Sequence, residues 1–420
     1  MIWLFLGLGL LLIALLGAPI FTVIAAVGIF AFNRAGIDTA ALIVELYRLV
    51  SFPALIAIPL FTFAGYVLAE SQAPRRMISL AQSLFGWMPG GLAIVALLST
   101  AVFTAFSGAS GVTIIALGGL IYPALIKEKY PERFSLGLMT TSGSLGLLFP
   151  PSLPIILYSI VSRVNIDRLF RAALLPGILL IVVLSIYSVR TAIRAGVPRH
   201  PFDWKTVWAA LKDAAWEVPL PFVVIGGIYG GLITATEAAA VTAFYVLVVE
   251  VLIRRDLKFF GDMPRVLKES MILVGAILIM LGTAMGVTNY IIDEQIPMKL
   301  FALISQFVSN KFVFLMILNL FLLVMNMIEI FSAIIIVVPI IVPVAMQYQV
   351  DPVHLGIIFL LNLEIGYMTP PLGLNLFLSS MRFKKPLTAT YRAVLPFFAL
   401  LLAVLLLITY FPALSLMASR

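Results

Sequence analysis

Between residues 88 and 126 the chain carries no Asp, Glu, Lys, Arg or His. One helix crosses the hydrocarbon of a bilayer in about 20 residues, so this run holds nearly twice what a single crossing needs. Its middle is a cluster of small and hydroxyl residues, from Thr104 through Ser107, Gly108, Ser110 and Gly111 to Thr113. Two half-deep helices that meet over 107–113 would use the length and put the polar cluster at a tip. Backbone that leaves the helix at membrane depth is tolerated only where protein buries it or where it lines a cavity. The tip is therefore a candidate binding site.

The rest of the chain agrees with a membrane setting. Hydrophobic residues make up 62%, charged residues 11%, and the mean hydropathy is +1.15. A soluble domain carries about 25% charged residues, so the expected class is an all-α polytopic membrane protein in contact with lipid. There is no cysteine, and the two histidines, His200 and His354, lie far apart. That excludes disulfides and thiolate chemistry and leaves no His-based metal site. No phosphate-binding glycine loop is present, so the chain does not hydrolyse nucleotide itself. The net charge of +8 sits in short loops and reads as a topology signal, with no nucleic-acid partner.

Two broken helices stand out. Residues 143–154 read Gly-Ser-Leu-Gly-Leu-Leu-Phe-Pro-Pro-Ser-Leu-Pro, and residues 366–375 read Gly-Tyr-Met-Thr-Pro-Pro-Leu-Gly-Leu-Asn. Proline lacks the amide donor and clashes with the preceding turn, so adjacent prolines inside an apolar stretch mean an interrupted span. A second long apolar run, 312–350, is interrupted at 326–332. Adding 220 maps one half onto the other: Pro123 onto Pro343, Gly146 onto Gly366, Pro150 onto Pro370, Pro151 onto Pro371 and Pro176 onto Pro396. Ser107 then aligns with Met327, which sets the two tips in register. Five spans separate the hairpins, and an odd number inverts the second relative to the first. Inverted repeats with discontinuous helices in matching positions are the pattern of secondary transporters, with binding near the midplane. Loops on the side of Met1 receive 19 of the 27 Lys and Arg and the other side eight. The N-terminus is expected in the cytoplasm and the C-terminus in the periplasm.

Broken helices free carbonyls and expose helix ends. Oxygen ligands suit Na⁺, and helix N-termini suit carboxylates. The expected first cation site joins Ser107 and Ser110 to carbonyls near Gly143, Gly146 and Pro150. The expected second site joins Asn326 and Glu329 to Thr369 and carbonyls near Gly366 and Leu372. Substrate is expected against Ser107, Ser144, Pro151, Thr369, Pro371 and Asn375. Glu364 could pair with a neighbour, and Glu237 closes a capping box begun by Thr234.

The segments 90–111, 143–154, 230–245 and 366–373 resemble the large membrane subunit of tripartite ATP-independent periplasmic (TRAP) transporters, DctM-like, over essentially the whole chain. The resemblance implies a Na⁺-coupled elevator importer of an organic acid such as a dicarboxylate, sugar acid or sialic acid, in a bacterial inner membrane. It implies no cofactor beyond Na⁺ as the coupling ion, a separate small four-helix membrane subunit, and a periplasmic substrate-binding protein. The moving unit would comprise 88–162 and 312–381, and the scaffold 1–87, 163–311 and 382–420. Where many relatives carry Asp followed by Thr-Pro at the second tip, this chain has Glu329-Ile330-Phe331-Ser332. A stand-alone divalent-anion symporter of the same broad fold is the other reading. An ATP-driven permease is disfavoured by the inverted repeat, and an intramembrane enzyme by the lack of a nucleophile–base pair.

Overall fold

The computed structural model describes residues 9, 12–13, 18–49, 52–199, 201–325, 330–370 and 373–419, and its regular elements there are all helical. In chain order these are α1 (Ile20–Ala35), α2 (Ala40–Leu49), α3 (Pro53–Glu70), α4 (Ala73–Phe85), α5 (Gly91–Ser107), α6 (Ser110–Lys127) and α7 (Glu132–Ser142). A tighter turn, Leu145–Leu148, precedes α8 (Leu153–Ser162). Then follow α9 (Ile166–Arg194), α10 (Trp204–Asp213), α11 (Pro219–Tyr229), α12 (Ala235–Leu247), α13 (Met263–Asp293) and α14 (Ile296–Ser305). The last six are α15 (Lys311–Met325), α16 (Ile330–Gln347), α17 (Pro352–Gly366), α18 (Leu374–Phe383), α19 (Leu387–Tyr410) and α20 (Ala413–Leu416). Among the described residues seven helices are long and apolar enough to cross a membrane, and eight if the bent pair 132–148 and 153–162 counts as one span.

The 220-residue offset seen in the sequence is a repeat of elements. α5, α6, α7 and α8 correspond to α15, α16, α17 and α18, and the long span α9 corresponds to α19. The repeats are interleaved. The second arm of each hairpin packs on the half-helix that follows the other repeat's break: α6 on α18, and α16 on α8. The closing span of each repeat packs on the other's leading half-helix, α19 on α7 and α9 on α17. These four contacts pack the two halves into each other, while the first break also lies against its own hairpin through α5. Outside the two halves, α3 packs against α12 and α13, and α13 against α1 and α2.

Local sequence explains where elements start. Asn165 accepts from the backbone N–H groups of Asp167 and Arg168 and opens α9. Thr234 and Glu237 form the expected capping box at α12, which assigns Glu237 to helix initiation. α11 is shorter than the span expected over 218–233, because Gly230 and Gly231 end it.

Charged loops gather where the topology requires. The buried Arg76 guanidinium meets Glu217 at 2.6 Å, Asp256 at 2.9 Å and Glu250 at 3.1 Å. Burial opposes its charge, but Glu217 and Glu250 outweigh that and raise its pKa above the usual arginine value. Residues 217 and 250 thus end on the same face, so the intervening chain leaves and returns. Arg265 pairs with Glu70 at 2.6 Å on this face. Elsewhere Lys385 pairs with Glu132, and Arg133 donates to the Arg392 carbonyl at 2.7 Å. The charged loops thus meet in two groups, one joining 70–76 to 217 and 250–265 and the other joining 132–133 to 385–392.

Candidate functional site

The first apolar run folds as the expected hairpin, but its tip is tighter than the sequence suggested. Only Gly108 and Ala109 lie outside helix, and Ser110 to Thr113 already belong to α6. Gly108 ends α5 with φ +65°, a left-handed conformation that glycine adopts without strain. Ser107 closes one arm and Ser110 opens the other.

Thr104 ties this tip to the first break. Its Oγ1 donates to the Gly143 carbonyl at 2.9 Å, so in the 2.7 Å contact between the two hydroxyls Thr113 is the donor. At Gly146 a Cβ would lie 2.3 Å from the Ala101 carbonyl oxygen and 2.4 Å from the Ala105 nitrogen. Only a residue without a side chain lets the break settle against α5 at this distance. The break thus lies against α5 at Gly146 and beside the start of α6 at Gly143, where a Cβ would be 3.4 Å from the Ser110 carbonyl oxygen. Pro150 is buried at the far end of the same break.

Several oxygens here have nothing to bond. The hydroxyls of Ser107, Ser110 and Ser142 and the Asn375 Oδ1 are buried and lack a hydrogen-bond partner. So is the hydroxyl of Ser379, one turn beyond Asn375 on α18. A buried hydroxyl without a partner costs roughly 1–3 kcal/mol, so this set is costly unless a ligand completes it. Ser379 escaped the sequence reading because it sits inside a helix with no turn signal nearby, and Ser142 because that reading began the break one residue later, at Gly143. Ser144, expected on substrate, spends its hydroxyl on the Thr141 carbonyl at 3.2 Å.

The second break contributes in part. Thr369 donates its hydroxyl to the Ile365 carbonyl at 2.8 Å, and its backbone N–H to the Gly366 carbonyl at 3.0 Å. The expected ligands Asn326, Glu329, Pro371 and Leu372 lie outside the described residues. Two contacts join the breaks: Asn375 Nδ2 donates to the Thr140 carbonyl at 3.2 Å, and Thr141 Oγ1 to Met368 Sδ at 3.8 Å. Glu364 corrects an expectation. It is fully buried, and among the described residues neither carboxyl oxygen has a hydrogen-bond partner and no neighbour pairs with it. A buried network that sequence reasoning missed links the second hairpin to its surroundings. Asn362 Nδ2 donates to Asn319 Oδ1 at 2.8 Å, and Asn319 Nδ2 to Thr409 Oγ1 at 3.0 Å.

Two interleaved repeats, the first with a tight helical hairpin and both with a helix interrupted at the Pro-Pro pairs of the sequence, define a secondary transporter of the discontinuous-helix class. The fold is similar to that of the Alcanivorax borkumensis YdaH transporter, whose crystal structure was described as having an unusual topology. The TM-score is 0.59 at 14% identity, covering 86% of this chain and 84% of that one. The family model of the tripartite ATP-independent periplasmic transporter DctM component matches residues 6–414. The chain is 36% identical over 378 residues to the C4-dicarboxylate TRAP transporter large permease protein DctM of Pseudomonas aeruginosa, covering 90% of this chain and 88% of that protein. It is 32% identical to the ectoine/5-hydroxyectoine TRAP transporter large permease protein UehC of Ruegeria pomeroyi, covering 86% of this chain and 85% of that protein. The chain belongs to the DctM family of TRAP transporter large permeases, which are transport proteins and not enzymes. The family works with a small membrane subunit and a periplasmic binding protein.

Proposed function

We propose that this chain is the membrane-spanning path of a Na⁺-coupled importer for an organic acid anion of the dicarboxylate, sugar acid or sialic acid type. Substrate reaches it from a periplasmic binding protein, and a small four-helix membrane subunit braces it in the bacterial inner membrane. The observation that carries the reading is the pair of buried, unpartnered hydroxyls at Ser107 and Ser110, held against the Gly143–Gly146 break. Oxygens already stripped of water and left without donors suit a small hard cation. A first Na⁺ is assigned to Ser107, Ser110 and carbonyls of Gly143, Gly146 and Pro150. A second is assigned to Asn326, Glu329 and Thr369 with carbonyls of Gly366 and Leu372. Substrate sits between the tips, against Ser107, Ser144, Pro151, Thr369, Pro371 and Asn375. The Ser144 hydroxyl would have to leave the Thr141 carbonyl to contribute.

The body made of 88–162 and 312–381 moves as an elevator against spans that include α9 and α12. The packing of α6 on α18 and of α16 on α8 supports this, because neither half can shift without dragging the other. With the Arg76 face in the cytoplasm, the N-terminus is cytoplasmic and the C-terminus periplasmic. The test is uptake into proteoliposomes that contain the full set of partners. Uptake should follow an imposed Na⁺ gradient and ignore ATP. Uptake that persists without Na⁺ and follows ATP overturns the proposal.

A further inference from the structure

Each repeat has a groove between its short connecting helix and its hairpin. Leu80, Leu84 and Leu98 line the first, and their repeat partners Leu300, Ile304 and Leu318 line the second. What closes the grooves differs. Trp204, Val207 and Leu211 of α10 wall the first, together with Val218, Pro221 and Phe222. No equivalent of α10 covers the second among the described residues. It is a cavity of about 510 Å³ whose other walls include Phe321, Ile336 and Ile340 of the hairpin.

The second groove's chemistry narrows its occupant. None of its lining residues is Gly, Ala, Ser or Thr, and none carries a charge or an amide. Helices associate in membranes through small residues that let backbones approach and through interhelical hydrogen bonds. This wall offers neither, so it suits a flexible hydrocarbon chain better than a protein helix. In a bilayer the acyl chain is already out of water, so the gain must come from packing and from the headgroup. Cations stand at the ends of the two helices concerned. Lys299 lies in the first turn of α14, two-thirds exposed and 3.4 Å from Glu294. Lys311 begins α15 and uses one of its three ammonium donors on the Gln349 carbonyl at 2.8 Å.

We propose that the groove between α14 and the second hairpin is a phospholipid site. An acyl chain lies on Leu300, Ile304, Leu318, Phe321, Ile336 and Ile340, and the phosphate meets Lys299 and Lys311. The lipid closes in the second repeat what α10 closes in the first, giving the second hairpin a deformable wall.

The test uses the full chain in nanodiscs whose phosphatidylethanolamine carries a photoactivatable diazirine in one acyl chain. Crosslinks are mapped by mass spectrometry, with and without the small membrane subunit. Peptides spanning 300–325 should label several-fold more strongly than an ordinary exposed apolar face of α9, around Ile178, Val182 and Ile186. The groove-filling variants Ile340→Trp and Ile317→Trp should each remove that excess while leaving the α9 labelling unchanged. Lys311→Gln should lower groove labelling without abolishing it. Equal labelling of groove and control face overturns the proposal. So does an excess that survives both tryptophans, or one that vanishes when the small subunit is present, since a partner helix would then be the occupant.

Discussion

Gly65 offers a direct probe of the boundary between the proposed fixed and moving parts. It lies on α3, where a Cβ would fall 2.4 Å from the Phe106 carbonyl oxygen and 2.4 Å from the Ser107 Cα. Both are backbone atoms of the hairpin tip, so no rotamer change relieves the clash. Ordinary contact begins at 3.4 Å, so Gly65→Ala must push the tip and α3 apart by about 1 Å. Overpacking of this kind costs roughly 1–3 kcal/mol. If the hairpin slides past α3 during transport, the cost falls on the arrangement in which Gly65 and Ser107 touch. The balance between arrangements then shifts by about 5- to 150-fold, and the initial uptake rate in Na⁺-driven proteoliposomes should fall within that range. Gly226→Ala is the control, because a Cβ there meets nothing within 4 Å. Its rate should stay near the starting value. A Gly65→Ala protein that transports normally, or a Gly226→Ala protein equally impaired, refutes the reasoning that this contact is part of the cycle.

Other expectations can be checked alongside. Ser107→Ala and Ser110→Ala each remove an unpartnered hydroxyl and should raise the Na⁺ concentration for half-maximal uptake with expression unchanged; an unaltered Na⁺ dependence in both would return these residues to packing. The chain has no cysteine, so introduced pairs report cleanly. Met280→Cys with Ser332→Cys joins α13 to α16 across a 3.4 Å contact, and its oxidation should arrest uptake until reduced. Thr141→Cys with Met368→Cys lies inside the interleaved body, and oxidation should leave its uptake at the reduced level; the reverse pattern would replace the elevator with local gating. Arg76→Ala leaves buried Glu250 without its cation and Glu217 with only Arg254, 3.7 Å away, and should cost about 3–5 kcal/mol, read as a lower melting temperature in detergent. Arg76→Lys should recover only part of that, since one ammonium cannot reproduce the guanidinium fork, and full recovery would show that charge alone matters.

Much of this architecture was legible in the residues because the bilayer leaves few options. A 39-residue uncharged run with polar residues at its centre can satisfy its backbone only as two helices and a buried tip, and Pro150-Pro151 and Pro370-Pro371 can only interrupt a span. The offset of 220 followed from the same prolines, and the elements repeat at it. What sequence spacing could not decide was which surfaces meet. Covalent order places α7 next to α6, yet α7 packs most closely on α19, about 250 residues away, and α6 on α18. The Asn375 and Thr141 contacts that join the two breaks are made across more than 200 residues, whereas the Thr104 tie to Gly143 is made within the first repeat. Periodicity shows which residues share a helix face, whereas the partner across that face is set by how two inverted halves fit together in three dimensions.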